Sequence, residues 1–364
     1  MPIREIPTAH GDPALEHAAI RGAAGIVDRS DHGLLEVTGR DRAKFLHAML
    51  SNDIASLTPG QGCAATLLDV HGKVQVLVRV LVLDDRVLVI TPPDRAAPTL
   101  EALDTYLFSE KAYFRDATGE HAIFLLAGPD APALAARVAG SGPGDRAWSH
   151  VTGTVGGTTV RLARGSGETG EPELWVLSAA SDGPAVWEAC LGAGAKAVGR
   201  TAFESARIGA GTPAFPDDMG PTVLLPEVPF ADLVSYTKGC YIGQEVIVRI
   251  RDRGHVNRLL RGLVLEGEAV PATGTSVVAG GAEVGTVTSA AWSLALKRPI
   301  ALALVKRAHA DAATAVAVRV GDSVVPATVS DLPIAHGGPT AQDPQTPFEH
   351  GGPTAQDPQT PSAR

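Results

Sequence analysis

The chain is 364 residues long, with 45% hydrophobic and 4% aromatic residues, a composition typical of a globular protein with two or three domains. Its formal charge of −9 and pI of about 5.7 exclude a general positive field, so we expect no direct binding to nucleic acid. No apolar run approaches the roughly 20 residues of a membrane span or resembles a signal peptide. We therefore expect a cytoplasmic protein that makes no membrane contact.

The first third of the chain alternates strand and helix patterns. A strand is predicted at 34–38 and an amphipathic helix at 41–50. Two β-branched runs at 73–85 and 86–91, joined by an acidic turn, indicate a hairpin. A second helix follows at about 95–107, where leucines recur at helical spacing.

The middle third repeats this alternation in the order strand, helix, strand, strand, helix, which is typical of a split βαβ unit. The strands are predicted at 121–128, 158–165 and 173–178, and the helices at 131–139 and 184–191. A capping-box pattern predicts a further helix at 201–209.

From residue 259 the pattern changes to short alternating strands separated by Gly-rich turns, which indicates a small antiparallel barrel. The whole fold is therefore predicted to be α+β, with ferredoxin-like α/β subdomains and a C-terminal antiparallel β-barrel. The predicted boundaries are an N-terminal extension at 1–29, the α/β region at 30–256, the barrel at 257–333 and a tail at 334–364. The tail repeats HGGPTAQDPQTP at 336–347 and 350–361 and is predicted to be disordered, because it lacks apolar periodicity.

The cysteines Cys63, Cys190 and Cys240 are odd in number and show no CxxC spacing, which argues against a disulfide framework and a self-contained zinc site. Cys190 falls on the apolar stripe of its helix and is predicted to be a core residue. Cys240 lies in KGCYIGQE, where Lys238 and a helix starting near Gly243 favour the reactive thiolate. The alternative is a turn cysteine beside a solvated lysine.

The residues that follow this segment are basic in an otherwise acidic chain. Arg249, Arg251, Arg253 and Arg258 can meet a carboxylate or phosphate tail of a ligand, and a solvated loop is the alternative interpretation.

The segment KGCYIGQEVIVR at 238–249 resembles the signature of the YgfZ branch of the YgfZ/GcvT family of folate-binding proteins. Other similar stretches occur in the same order along the chain: VTGRDRAKFLHAMLSNDI, LLDVHGKV, TGEPELWV, ARIGAGTPAF, LLPEV and GTVTS. The resemblance covers roughly 30–333.

This resemblance implies GcvT-like subdomains around a central hole that binds tetrahydrofolate or a substituted reduced folate. It implies that Glu171 faces the pterin ring, that Arg207 is the arginine of the family's RLE-like helix and contacts the folate, and that His32 and Phe203 stack on rings. The remaining candidate folate contacts are Tyr241, Gln244, Glu245 and Arg249.

Three functions are compatible with the resemblance. The YgfZ branch is implicated in assembly or repair of iron–sulfur clusters, including those of tRNA-modifying enzymes, with Cys240 and Lys238 as the working pair. Because one thiolate cannot hold a cluster, Cys240 would then be a transient metal ligand shared with iron–sulfur enzymes or cluster carriers, or it would act by covalent or redox chemistry instead. The alternatives are a folate-dependent aminomethyltransferase or related one-carbon transferase, and a passive folate-binding module. Val76 and Leu77 stand where the transferases carry an acid pair, so enzymatic activity is left open.

Overall fold

The computed structural model describes residues 6–321 and 323–334. The helices are α1 (Pro13–Gly22), α2 (Arg42–Met49), α3 (Ala96–Asp104), α4 (Ala131–Ala139), α5 (Gly183–Gly192), α6 (Arg200–Ala210) and α7 (Gln244–Arg253). The strands of the first half are β1 (Gly25–Asp28), β2 (His32–Thr38), β3 (Gly62–Leu68), β4 (Val74–Val82), β5 (Val87–Pro93), β6 (Tyr113–Asp116), β7 (His121–Ala127), β8 (His150–Val155), β9 (Thr158–Arg164), β10 (Glu173–Ala179) and β11 (Lys196–Ala197). Among the residues that the structure describes, no helix is long and apolar enough to cross a membrane.

These strands form two sheets. One sheet has the antiparallel order β3-β4-β5-β2-β6, and the other has the order β11-β1-β7-β10-β9-β8, with a parallel pairing only between β1 and β11. Helices α4 and α5 cover one face of the second sheet. The opposite face packs towards the first sheet and α6 in a shared apolar cluster.

The alternation of side chains along its strands explains how the second sheet packs against a different layer on each face. In β7, Ile123 and Leu125 belong to the cluster shared with the first sheet, whereas Phe124 and Leu126 face the helices. Successive strand residues point to opposite faces, so a strand that is apolar throughout is buried on both sides.

The remaining strands close into a barrel. They are β12 (Arg258–Leu265), β13 (Ser276–Ala279), β14 (Ala282–Ser293), β15 (Arg298–Lys306), β16 (Ala315–Val320) and β17 (Ser323–Ser330), in the spatial order β12-β15-β14-β13-β16-β17. Helix α6 packs on β14 and β15 and connects the barrel to the α/β region. The predicted α+β fold with its C-terminal antiparallel β-barrel is confirmed.

The structure differs from the sequence prediction near the N-terminus. Residues 1–29 were predicted to be an extension, but α1 and β1 belong to this range, and β1 pairs with β7 and β11 inside the second sheet. Helix α1 begins at Pro13, where the Asp12 side chain accepts a hydrogen bond of 2.9 Å from the Ala14 amide. The third helix ends at Asp104 instead of about 107. The repeats at 336–347 and 350–361 lie outside the described residues.

Gly243 sets the start of α7, as the sequence predicted. It has a φ of 81°, in the left-handed region that favours glycine. A Cβ atom here would lie 2.5 Å from the carbonyl oxygen of Asp69, so the turn after β3 and the start of α7 approach closely only because residue 243 is glycine.

Candidate functional site

A central cavity of about 1040 Å³ lies between the two sheets and is also lined by α6 and the loop that follows it. Both sheets contribute to its wall, the first through β4 and the second through Glu173 at the start of β10. Leu77 and Arg79 line the cavity, whereas Val76 belongs to the apolar core on the other face of the sheet. The predicted loss of an acid pair at these positions therefore leaves an apolar residue on the cavity wall.

The cavity wall contains a buried network of ion pairs that packs on aromatic rings. Glu168 accepts from Arg79, and also from Arg29 at 3.1 Å. The guanidinium carbons of Arg29 and Arg79 lie 5.5 and 4.5 Å from the centroid of the Trp175 ring, and Arg29 also lies 4.7 Å from that of Phe203. Burial opposes ionisation of Glu168, but the two guanidinium groups outweigh it and lower its pKa to about 2. Glu168 is thus a carboxylate at neutral pH.

His32 lies beside this network at the start of β2, lines the cavity and packs edge-on against Trp175, with ring centroids 5.3 Å apart. Its Nδ1 is 2.8 Å from Asp31 and its Nε2 is 3.1 Å from a guanidinium nitrogen of Arg29. Because the guanidinium can only donate, Nε2 accepts and Nδ1 carries the hydrogen. Burial and the charge of Arg29 lower the pKa of His32 to about 4, so its ring is neutral at pH 7.

Glu173, the first residue of β10, is a second buried carboxyl group on the cavity wall. Its Oε2 accepts the backbone N–H of Glu168 at 2.7 Å, and its Oε1 has no hydrogen-bond partner among the described residues. A Cβ atom at residue 165 would lie 2.2 Å from this Oε1, so Gly165 provides its space. Burial, followed by the charge of Glu168, raises the pKa of Glu173 to about 7.

Glu171 and Phe203, which the resemblance implied as contacts of the pterin ring, also line the cavity. Phe203 is buried on α6, where Arg29 lies over its ring. Glu171 is partly exposed and forms an ion pair of 3.0 Å with Arg21 of α1, so its carboxylate already has a cation.

Arg207 lines the cavity, but its guanidinium is fully engaged within the protein. It donates to Glu204 at 2.6 and 2.9 Å and to Asp218 at 2.9 Å. It also donates to the carbonyl oxygen of Thr212 at 2.6 Å and to the Ser289 hydroxyl of the barrel at 3.1 Å. Burial opposes its charge, but Glu204 and Asp218 raise the pKa of Arg207 above its ordinary value. The geometry therefore gives Arg207 a structural part instead of the expected ligand contact.

The KGCYIGQE segment lies outside the cavity. The residues of this segment and of α7 that were expected to bind folate are absent from the described cavity wall: Tyr241, Gln244, Glu245 and Arg249. Tyr241 is buried in the core of the first sheet, and the other three belong to α7. Sequence proximity to Cys240 did not bring these side chains to the cavity.

Cys240 is exposed at the surface, whereas Cys63 and Cys190 are buried. Lys238 was expected to stabilise a thiolate at Cys240, but its ammonium donates to the backbone carbonyl oxygens of His47, of Leu50 at 2.6 Å and of Asn52 at 3.1 Å. Burial lowers its pKa to about 8. Lys238 therefore anchors the segment to the end of α2. The cysteine that does line the cavity is Cys63, whose pKa burial raises to about 12. The described residues contain no cluster of His, Cys, Asp and Glu that could hold a metal ion.

Sequence analysis missed Arg29, Arg79, Glu168 and Glu173. One signal was available for Arg79, because it interrupts the apolar run VQVLVRVLV of β4, and an arginine in a buried strand needs a partner. Glu168 and Glu173 stand within five residues of one another around Glu171, but spacing alone does not tell which of the three is buried.

Comparison with known proteins assigns a family to this arrangement of two facing sheets, a central cavity and a closed barrel. Residues 7–238 match the model of the GCVT N-terminal domain, and residues 258–335 match that of the glycine cleavage T-protein C-terminal barrel domain. The chain belongs to the GcvT family.

The relatives found by sequence include proteins named aminomethyltransferase. One from Streptomyces coelicolor is 31% identical over 340 residues, covering 90% of this chain and 91% of the relative. Another from Frankia alni is 35% identical over 306 residues, covering 82% of each. The crystal structure of the glycine cleavage system aminomethyltransferase T from Bartonella henselae has a TM-score of 0.79 and 22% identity over 89% of both chains, which supports the fold. Assignment to the narrower YgfZ branch rests on the KGCYIGQE motif alone.

Proposed function

We propose that this protein binds a reduced folate in the central cavity and uses it in one-carbon transfer of the aminomethyltransferase type. The observation that carries the proposal is the cavity of about 1040 Å³, which is slightly larger than the roughly 300–1,000 Å³ typical of cofactor sites and large enough for a folate. The names of the relatives support the reaction class.

The chemistry of the cavity wall suits a folate. A flat pterin ring can stack on buried aromatic rings such as Phe203 and Trp148, which line the cavity. Arg146 lies exposed at its edge, where a guanidinium can pair with the carboxylates of a glutamyl tail. Because Val76 and Leu77 replace the acid pair, one-carbon transfer here relies on another residue for proton transfer.

Binding is tested by calorimetry with 5-formyltetrahydrofolate, a stable reduced folate. Phe203→Ala should weaken binding about fivefold, because stacking on an aromatic ring contributes about 1 kcal/mol beyond area burial. Phe108→Ala removes a ring that is 88% exposed and should leave the affinity unchanged. Absence of binding by the wild-type chain would exclude the folate function.

Catalysis is tested separately by following formation of methylenetetrahydrofolate from tetrahydrofolate and an aminomethyl donor, with release of the donor's amino group as ammonia. The expected result is turnover that is lost in Phe203→Ala in proportion to the loss of affinity. Folate binding without turnover would exclude the transferase and leave a binding protein.

A second candidate function is support of iron–sulfur cluster assembly or repair by the thiol of Cys240. The observation that favours it is that Cys240 is exposed and outside the cavity, so a partner protein can reach the thiol while a ligand occupies the cavity. Cys240→Ser should then abolish rescue of iron–sulfur enzymes in a family-deficient strain and retain folate affinity. Cys190→Ala, a buried control, should still rescue. Full rescue by Cys240→Ser would exclude this function.

A further inference from the structure

Two segments that are distant in the sequence carry a local surplus of cations. Residues 244–258 and 306–309 contain six Lys or Arg residues and two carboxylates, whereas the whole chain has 31 and 40. The amide of Arg307 donates to the carbonyl oxygen of Asn257 at 2.9 Å, and Lys306 lies opposite the first residue of β12 in the pairing with β15. The two adjoining segments therefore form a basic surface on an otherwise acidic molecule.

The cations of the basic surface differ in whether the protein itself neutralises them. Arg251 pairs with the adjacent Asp252 at 2.5 Å. Three others are exposed and form no ion pair within the part of the chain that the structure describes: Arg249, Arg253 and Lys306. These three charges face solvent and can each accept a carboxylate from another molecule.

The stability of the fold does not account for all three cations. Arg249 and Arg253 lie one turn apart on α7, on the face opposite the buried Ile247. A cation in the last turn of a helix stabilises the helix dipole, which gives Arg253 a structural reason. Arg249 lies in the middle of α7 and Lys306 ends a strand, so this reason does not extend to them.

The basic surface is separate from the central cavity and adjoins the thiol segment. None of its three solvent-facing cations belongs to the described wall of the cavity. The guanidinium carbon of Arg251 lies 4.5 Å from the centroid of the Tyr236 ring, four residues before the exposed Cys240. A molecule bound to the basic surface therefore lies close to the thiol segment and leaves the cavity open.

We propose that the basic surface docks an acidic face of a partner protein. Local complementarity of charge is sufficient for such a partner, because a protein can present a few carboxylates at matching positions. A nucleic acid fits less well, because its phosphates continue beyond the patch and meet the rest of the molecule, where carboxylates outnumber cations. The inference goes beyond both proposed functions and depends on neither.

The experiment is fluorescence anisotropy with a labelled peptide of alternating glutamate and glycine, a probe that carries the proposed chemistry. The wild-type chain should bind this peptide at about 20 mM salt and bind it much more weakly at about 200 mM, because the Debye length falls from about 20 to about 7 Å. The same peptide with glutamine in place of glutamate should not bind. Absence of binding by the glutamate peptide, or equal binding of both peptides, would overturn the proposal.

Charge reversal locates the binding site. Arg253→Glu combined with Lys306→Glu should weaken binding about tenfold at low salt, because two attractions become two repulsions. Arg298→Glu combined with Lys44→Glu is the matched control, since it changes the net charge by the same amount at exposed positions. Arg298 begins β15, about 26 Å along the strand from Lys306. The control should stay within about threefold of wild type.

Equal losses in the two double variants would mean that only the net charge matters and would overturn the proposal. Circular dichroism checks that each variant folds. If the first double variant does not, Arg249→Glu alone should give about a threefold loss, and full affinity in that variant would overturn the proposal as well.

Two further measurements exclude other occupants. Single-stranded RNA of the same length should bind more weakly than the glutamate peptide, and tighter binding of the RNA would assign the surface to nucleic acid. Light scattering of the wild-type chain at low salt should show no self-association that the charge reversal removes. Such self-association would assign the surface to a second copy of this chain. Either result would overturn the proposal and leave the folate function untouched.

Discussion

Arg207→Met should destabilise the protein strongly without acting through the ligand. Asp218 is fully buried and accepts from Arg207 at 2.9 Å, from the Ser289 hydroxyl at 2.9 Å and from the Ala214 amide at 2.8 Å. Loss of the guanidinium leaves this carboxylate with neutral donors only. Removing one partner of a buried ion pair costs about 3–5 kcal/mol, a large part of the roughly 5–15 kcal/mol that stabilises a typical protein.

Urea unfolding followed by circular dichroism measures this loss. Arg253→Met is the matched control, because this arginine is exposed at the end of α7, and its change should stay within about 0.5 kcal/mol. Arg207→Met combined with Asp218→Asn should recover part of the loss, since the buried charge is gone. A loss below about 1 kcal/mol with a marked drop in folate affinity would refute the structural role and restore Arg207 as a ligand contact.

Three other predictions concern single side chains. Cys240 should react with maleimide in the native protein, and the buried Cys63 and Cys190 only after unfolding, as mass spectrometry can show; equal native labelling of Cys63 would contradict its burial. Because burial and a neighbouring charge raise the pKa of Glu173 to about 7, wild-type stability falls as pH rises from about 4.5 through 7, so Glu173→Gln should raise the Tm at pH 8 and not at pH 4. Lys238→Met should cost about 1–3 kcal/mol in urea unfolding, since three backbone carbonyl oxygens lose their donor; an unchanged midpoint would refute the anchor.

Much of the fold follows from the sequence because its patterns are strong. The helix predicted at 131–139 matches α4, and the run of short strands after residue 259 is the closed barrel. β1 was missed because it has only four residues, too few for alternation to be visible, and its place in the sheet depends on partners far along the chain.

The cavity was harder to predict, since it depends on which side chains two distant sheets present to one another. His32, Phe203 and Glu171 were placed there through the family resemblance. The charge state of Glu173 could not be foreseen, because it depends on Glu168 holding both arginines. The spacing of residues along the sequence indicates which face of a strand or helix a side chain occupies, but not which side chain of a distant element it contacts.

The anchor at Lys238 has a mechanical consequence. Asn52 lines the cavity, its side-chain amide donates to the carbonyl oxygens of Ala64 and Asp232, and its own carbonyl oxygen accepts from Lys238. Lys238 is two residues from the exposed thiol of Cys240. A displacement of Asn52 at the cavity wall therefore moves an acceptor of the residue that holds the thiol segment. One asparagine and one lysine thus connect the cavity wall to the surface at Cys240.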